Sequence, residues 1–171
     1  MELLILRHGK SSWKDLSLDD FDRPLKGRGR RDAEAMGQYI QDRCLLPDLV
    51  LCSTAKRAVQ TLKRAMKNMD IPSSCVKWSP NLYHAETETW MKQLSAVPAS
   101  FKRVMVVGHN PGLEDLVIFL SKKPISIPED GKLIPTATLA LFEIETEWKH
   151  IGRGAGRLTD IIRPRTLSMR Y

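Results

Sequence analysis

The sequence predicts an α/β protein, a three-layer α/β/α sandwich built around a mostly parallel central sheet. Short apolar runs recur at 3–6 (LLIL), 48–52 (DLVLC) and 103–107 (RVMVV), and continuous apolar runs of this length mark strands buried on both faces. Segments with apolar residues at helical spacing stand between them. Strands alternating with helices make a parallel sheet with helices on both faces. No internal repeat or linker divides the 171 residues, a length that fits one domain with a useful core. Residues 1–171 are therefore expected to form a single domain.

In chain order, 3–6 reads as the first buried strand. From Gly27 to about Cys44 the chain reads as a helix, with Ala33, Met36, Gly37 and Ile40 at its apolar positions and Pro47 closing it off. Strand 48–52 follows. Ser53 and Thr54 are good helix-start residues, and Ala58, Leu62, Ala65 and Met69 mark the buried stripe of the next helix. Residues 76–78 read as a short strand and 86–97 as a helix facing inward with Trp90, Met91 and Leu94. Strand 103–107 runs into Gly108-His109-Asn110-Pro111-Gly112, and 113–120 is helical. The stretch 121–135, rich in Pro, Lys and Ser, reads as a loop. Residues 138–144 (TLALFEI) form a strand suited to antiparallel pairing at or near the sheet edge, and 159–163 a last short strand.

Composition narrows the functional classes. Hydrophobic residues make up 42%, a globular proportion. No apolar run approaches the ~20 residues of a membrane span, and the opening run is too short for a signal-peptide core. A cytoplasmic protein with no membrane association is expected. Cys44, Cys52 and Cys75 are odd in number and lack metal-ligand spacing. Cys44 and Cys52, among apolar neighbours, are expected to be buried thiols. The formal charge of +7, densest at 26–31 (KGRGRR), favours anionic partners. No helix-turn-helix, zinc-finger or aromatic RNA-binding motif accompanies it, which argues against nucleic acid. An anionic protein or a phosphorylated substrate would use the same field.

The strand ends carry the chemistry, because ligands of open α/β sheets bind outside the carboxyl ends of the strands. The first strand delivers Arg7 and His8, the second runs into a helix bearing Arg57 in its first turn, and the third delivers His109. If the three strands are neighbours, two arginines and two histidines converge. Arginine forks grip phosphate oxygens, and helix N-termini add N–H donors. A neutral histidine, its second nitrogen held by a backbone carbonyl, attacks phosphorus and forms a phosphohistidine that water hydrolyses. The other histidine would bond the equatorial oxygens during transfer. Gly9, lacking Cβ, permits close backbone approach to a ligand or a positive φ. Zinc held by His8 and His109 lacks a third ligand at suitable spacing, so no metal or other cofactor is expected.

LRHGKSSW, STAKRAVQT and VVGHNPG, in this order and spacing, resemble the histidine phosphatase superfamily, which includes the cofactor-dependent phosphoglycerate mutases. The resemblance implies a phosphoglycerate mutase-like fold, His8 as nucleophile, and Arg7, Arg57 and His109 as the rest of the phosphate pocket. DRPLKGRGRRDA, NLYHA, GHNPG, PTATLALFEI and the closing Arg163, Pro164, Arg165 and Leu167 are most similar to the short SixA-type phosphohistidine phosphatases. That group resembles a superfamily core without lid insertions, which implies a site open to a phosphohistidine on a protein, such as a signalling protein.

The chain departs from the mutase pattern in two places. Lys10 stands where those enzymes carry a glutamate, and no carboxylate matches their proton donor. Candidates for the acid are His84, Glu86, Asp15, Asp19, Asp20 and Asp22, each of which is more simply a solvated surface residue. Ser11 and Asn110 are weaker candidates for phosphate contacts, each with a turn role as the alternative; Trp13 is either a wall of the site or a packing residue; Thr54 is a helix cap or a donor. The expected function is a phosphatase working through a phosphohistidine intermediate on His8, acting on phosphohistidine in a protein. The alternatives are a small-molecule phosphomonoesterase of the same chemistry and, in another class, a nonenzymatic phosphate- or nucleic-acid-binding module.

Overall fold

A computed structural model describes residues 1–167. Its centre is one six-stranded sheet of β1 (Glu2–Arg7), β2 (Leu49–Ser53), β3 (Val76–Ser79), β4 (Arg103–Gly108), β5 (Leu139–Ile144) and β6 (Gly156–Ile162), in the order β3-β2-β4-β1-β5-β6. The β3-β2, β2-β4 and β4-β1 pairs are parallel, and β5 runs antiparallel to both β1 and β6. The sheet is thus mostly parallel. TLALFEI supplies the antiparallel strand, one place in from the edge.

Alternation along the strands makes the layers. Leu3 and Ile5 of β1, with Val104 and Val106 of β4, face α3 (Thr87–Ser95) and α4 (Gly112–Leu120), where Trp90, Leu94, Leu113 and Leu116 meet them. Leu4, Leu6, Met105 and Val107 point to the other face, against Met36 and Ile40 of α1 (Gly27–Asp42) and Ala58 and Leu62 of α2 (Lys56–Ala65). Both faces of β1 and β4 are sealed, which is why their sequences read as unbroken apolar runs. A last helical turn, α5 (Pro164–Leu167), packs beside α1.

Local departures have simple causes. Cys44, expected to be buried, is exposed; it lies past the end of α1 with φ 54° and is a free thiol. Cys52 is buried in β2, as expected. Helix α2 begins at Lys56, later than the Ser53-Thr54 pair indicated, and its first turn has no side-chain cap. The Thr54 hydroxyl is buried without a partner among the described residues, so it caps nothing. The strand expected at 159–163 is longer and begins at Gly156, where a Cβ would collide with Phe142 and Ile144 of β5. No helix among the described residues is long and apolar enough to cross a membrane.

Helix α1 touches α2 through Gly37, where a Cβ would stand 2.1 Å from the Ala65 carbonyl oxygen. Backbone on the far side leaves no flexible atom to yield. Gly37→Ala is expected to destabilise the protein by about 1–3 kcal/mol, the usual cost of overpacking. Urea unfolding checks this: the midpoint should fall with the slope unchanged.

Candidate active site

Strands β2, β4 and β1 are consecutive in the sheet, so the three junctions singled out by sequence do meet. His8 follows β1, and its N–H donates to the Gly108 carbonyl at the end of β4 (3.1 Å). Arg57, in the first turn of α2, reaches the His8 ring. Antiparallel β5 starts beside the carboxyl end of β1, Leu139 opposite Leu6, which brings 134–138 to the same place. The Ala137 N–H donates to the His8 carbonyl (3.0 Å), and Arg7 Nη1 donates to the Ile134 carbonyl (2.7 Å).

The His8 ring is buried and held at both nitrogens. Nδ1 lies 2.7 Å from the Gly9 carbonyl, which only accepts, so Nδ1 carries the proton and Nε2 the lone pair. A backbone carbonyl holding one ring nitrogen is the arrangement expected from sequence, and the nitrogen so held is Nδ1. Arg57 Nε–H donates to Nε2 at 3.3 Å. Burial pushes the His8 pKa down to about 3; the Gly9 bond opposes this, while the charges of Arg57 and Arg7 add to it. The ring is neutral at ordinary pH, the state a nucleophile needs.

His109 stands with its ring centroid 5.0 Å from that of His8. Its Nε2 lies 2.9 Å from Ser53 Oγ, and its Nδ1 is buried without a partner among the described residues. If the serine hydroxyl donates to Nε2, Nδ1–H is the ring's available donor. Burial, then the neighbouring His8, Arg57 and His84, push its pKa down to about 2.

Arg57 is buried and fully engaged. Its Nη2 pairs with Asp20 Oδ2 at 2.8 Å, and Nη1 donates to the Asp20 backbone carbonyl. Asp20 opens a 3-10 turn, Asp20–Asp22, and collects donors: Arg23 Nη1 (2.7 Å), the Tyr83 hydroxyl (2.7 Å) and the His84 ring (3.3 Å). Partial burial pushes the Asp20 carboxyl up, but the bonds from Tyr83, Arg57 and Arg23 outweigh it and hold the group well below the usual carboxylate range. Asp20 thus occupies the arginine fork that suits a phosphate, its carboxylate on Nη2 and its backbone carbonyl on Nη1.

The remaining candidates divide. Ser11 is buried and accepts from Arg23 Nη2 (2.9 Å), so its hydroxyl positions an arginine. Trp13 is exposed beneath the same guanidinium and does not pack in the core. Asn110 Nδ2 donates to the Ile134 carbonyl that Arg7 also binds (3.1 Å), a long-range contact outside its own turn, while its Oδ1 is buried without a partner among the described residues. Gly9 has neither a positive φ nor space to spare for a ligand's sake. Its missing Cβ would stand 2.6 Å from the Gly29 carbonyl oxygen of α1. Its N–H donates to Thr61 Oγ1 (2.9 Å), which itself donates to the Arg57 carbonyl.

His84 is exposed at φ 49° and touches the cluster only through Asp20 and ring contacts with Tyr83 and His109. Glu86 is exposed at the start of α3 and takes no part in the cluster's hydrogen bonds. Asp15 bonds Ser17 on the surface. Of the acids weighed from sequence, Asp20 is the one the fold brings to the arginines, against the surface reading. Ser53, Thr61, Arg23 and Tyr83 were not foreseen as parts of the site. Only the Arg-Pro of DRPLKG and the Tyr-His of NLYHA, segments quoted above, hinted at the last two. Among the described residues no group of three or more His, Cys, Asp or Glu is gathered as a metal site.

Known proteins share this arrangement of sequence and fold. Residues 3–82 match the family model of the histidine phosphatase superfamily, branch 1. An uncharacterised Mycobacterium tuberculosis protein is 32% identical over 164 residues, spanning 94% of this chain and 100% of the relative. A proposed phosphohistidine phosphatase SixA from Nakamurella multipartitia superposes with a TM-score of 0.81 at 27% identity, covering 95% of each chain. One from Agrobacterium tumefaciens does so with a TM-score of 0.76 at 28% identity, covering 95% of this chain and 98% of that one.

The two buried rings make stability depend on pH. Unfolded histidines gain protons as pH falls through 6.5, whereas His8 and His109 resist until about 3 and about 2. Unfolding therefore takes up protons in this window, and stability falls as pH falls. The urea midpoint, followed from about pH 7.5 to about pH 5, should decline, and the decline should flatten in a His8→Gln/His109→Gln variant. An identical slope in the variant would show that the rings protonate within the fold.

Proposed function

The chain belongs to the histidine phosphatase superfamily, and on that footing we propose that it is a phosphohistidine phosphatase that passes the phosphoryl group through His8. The observation that carries the reading is the buried, neutral His8 ring. Its Nδ1 is tied to Gly9, and its Nε2 lone pair faces the guanidinium of Arg57. In this reading Arg7 and Arg57 hold the phosphoryl oxygens. The His109 Nδ1–H meets an equatorial oxygen as charge builds in the transition state. The incoming phosphoryl group replaces Asp20 on Arg57, and Asp20 stays tethered by Arg23, Tyr83 and His84.

The substrate follows from proton balance. A phosphohistidine protonated on its second ring nitrogen needs no acid. The His8 Nε2 lone pair forms the new N–P bond, the old N–P bond breaks, and its electron pair leaves on a neutral imidazole. Water then forms the O–P bond, the His8 N–P bond breaks with its electrons returning to Nε2, and both water protons depart on dihydrogen phosphate. An alkyl phosphate would leave as an alkoxide, which requires a donor. Asp20 is held ionised and is poorly suited to donate. The names of the similar SixA structures support the same substrate. The chemistry assigned here uses side chains alone, without metal, and the three free thiols suit a cytoplasmic setting.

Phosphate release without added metal tests the reading. Wild type should act on a phosphohistidine protein, and less readily on an aryl phosphate, with sugar phosphates far behind. His8→Ala should lose at least about 10³-fold in turnover. Release that survives in His8→Ala would overturn the covalent route, and equal rates on alkyl phosphates would overturn the substrate class. A nonenzymatic binder would release nothing in either form.

Asp20→Asn separates the carboxylate's roles. With the competing charge gone from Arg57, inorganic phosphate should inhibit about tenfold more tightly, the worth of one charged hydrogen bond. An unchanged inhibition constant would mean that Asp20 and phosphate do not share the fork.

A further inference from the structure

A cleft of about 460 Å³ adjoins the site, and Arg7 lines it. Four separate stretches of chain meet there. The end of β1 contributes Arg7 and Lys10, the start of α1 contributes Arg28, the loop before β5 contributes Lys132, and the segment after β6 contributes Arg163 and Arg165. Six basic side chains line the cleft beside one carboxylate, Asp130, and Arg28 is also paired with Asp32 on its own helix (3.4 Å). Asp130 is already paired with Arg163 (3.0 Å), whose other nitrogen bonds the Lys132 carbonyl and so fixes the loop. Lys10 and Lys132 are exposed, and neither forms an ion pair among the described residues. The phosphoryl chemistry assigned to His8, Arg57 and His109 uses none of these lysines.

The excess of positive charge beside the proposed phosphate site, with Lys10 and Lys132 outside any ion pair among the described residues, raises the local concentration of an anion. The volume holds several side chains, and the charges are spread over separated segments. The exposed lysines act as point charges, unlike a rigid arginine fork built around one phosphate. These features fit an extended acidic surface better than a second compact phosphate. We propose that this cleft seats acidic side chains flanking the phosphorylated histidine of a protein substrate, thereby selecting among phosphohistidine proteins. The proposal rests on the phosphohistidine reading above.

The test compares a phosphohistidine peptide with Asp and Glu flanks, the same peptide with neutral flanks, and an aryl phosphate, on wild type and a Lys10→Ser/Lys132→Ser variant. Wild type should favour the acidic peptide about tenfold in kcat/KM at low salt, and the preference should shrink as salt screens it. The variant should lose that preference while keeping its rate on the aryl phosphate. Indifference of wild type to the flanks, or a preference that survives in the variant, overturns the proposal. So does a lysine-dependent preference for a bisphosphorylated aryl substrate with none for the acidic peptide, which would make the cleft a small-anion subsite. If no phosphohistidine peptide is cleaved, the substrate reading fails by itself. The unphosphorylated acidic peptide should then still inhibit aryl phosphate release by wild type and not by the variant, and its failure to inhibit would overturn the cleft.

Discussion

The 2.7 Å bond between His8 Nδ1 and the carbonyl of the very next residue, Gly9, determines what the rest of the site can do. A carbonyl has no proton to give, so the ring's proton must sit on Nδ1 and the lone pair on Nε2. For the carbonyl to point back at the ring, the peptide after β1 must turn at Gly9 while pressed against α1. A side chain on Gly9 would meet the Gly29 carbonyl at 2.6 Å, and one on Gly29 would meet the Lys10 carbonyl at 2.3 Å. Thr61 completes the clamp. It accepts from the Gly9 N–H and donates to the carbonyl of Arg57, so one hydroxyl joins the turn behind His8 to the helix that carries Arg57.

Burial and charge then act in the same direction. Two guanidinium groups beside a buried imidazole disfavour its protonation, and desolvation adds the larger share. The same cations require an anion. Asp20 supplies one, held by Arg57 and Arg23 and by the Tyr83 hydroxyl. The carboxylate keeps buried Arg57 from standing unpaired, a situation that is costly in a low-dielectric surrounding. In the proposed function it is also an oxyanion placed where another binds, and its remaining partners Arg23, Tyr83 and His84 retain it after displacement. The site is thus arranged around a negative charge before substrate enters.

What was legible in the sequence is what depends on nearby residues. LLIL, DLVLC and RVMVV were readable as strands because both of their faces are covered, and Arg7, His8, Arg57 and His109 because each lies at or just beyond a strand end. TLALFEI was readable as a strand suited to antiparallel pairing at or near the edge, and it is the antiparallel strand one place in from the edge. Partners set by three-dimensional packing were not legible. Ser53 read as a helix-start residue, yet its hydroxyl lies 2.9 Å from a histidine 56 positions away. Gly9 invited a ligand-facing explanation, whereas the atom it avoids belongs to a helix. Asp20 was one of four carboxylates in a polar stretch, and nothing local distinguishes it. Only the approach of α2 and of Tyr83 does so. Cys44 failed in the opposite sense: apolar neighbours in sequence do not bury a residue that turns outward past a helix end.

The antiparallel placement of β5 ties these features to recognition. Because β5 begins beside the carboxyl end of β1, the loop preceding it must cross the mouth of the site. Its backbone satisfies Arg7 through Ile134 and His8 through Ala137. The same loop carries Lys132 to the cleft beyond Arg7, where Arg163 anchors it after the neighbouring β6. One stretch of chain therefore braces Arg7 and brings positive charge to the cleft beside it. In the proposed reaction a phosphoryl group passing between two imidazoles needs no proton from the protein, so discrimination is left to charge around the bond. If the proposed substrate and docking cleft both hold, the acid-poor chemistry and the basic rim are complementary, the first admitting phosphohistidine and the second distinguishing the surface on which it is displayed.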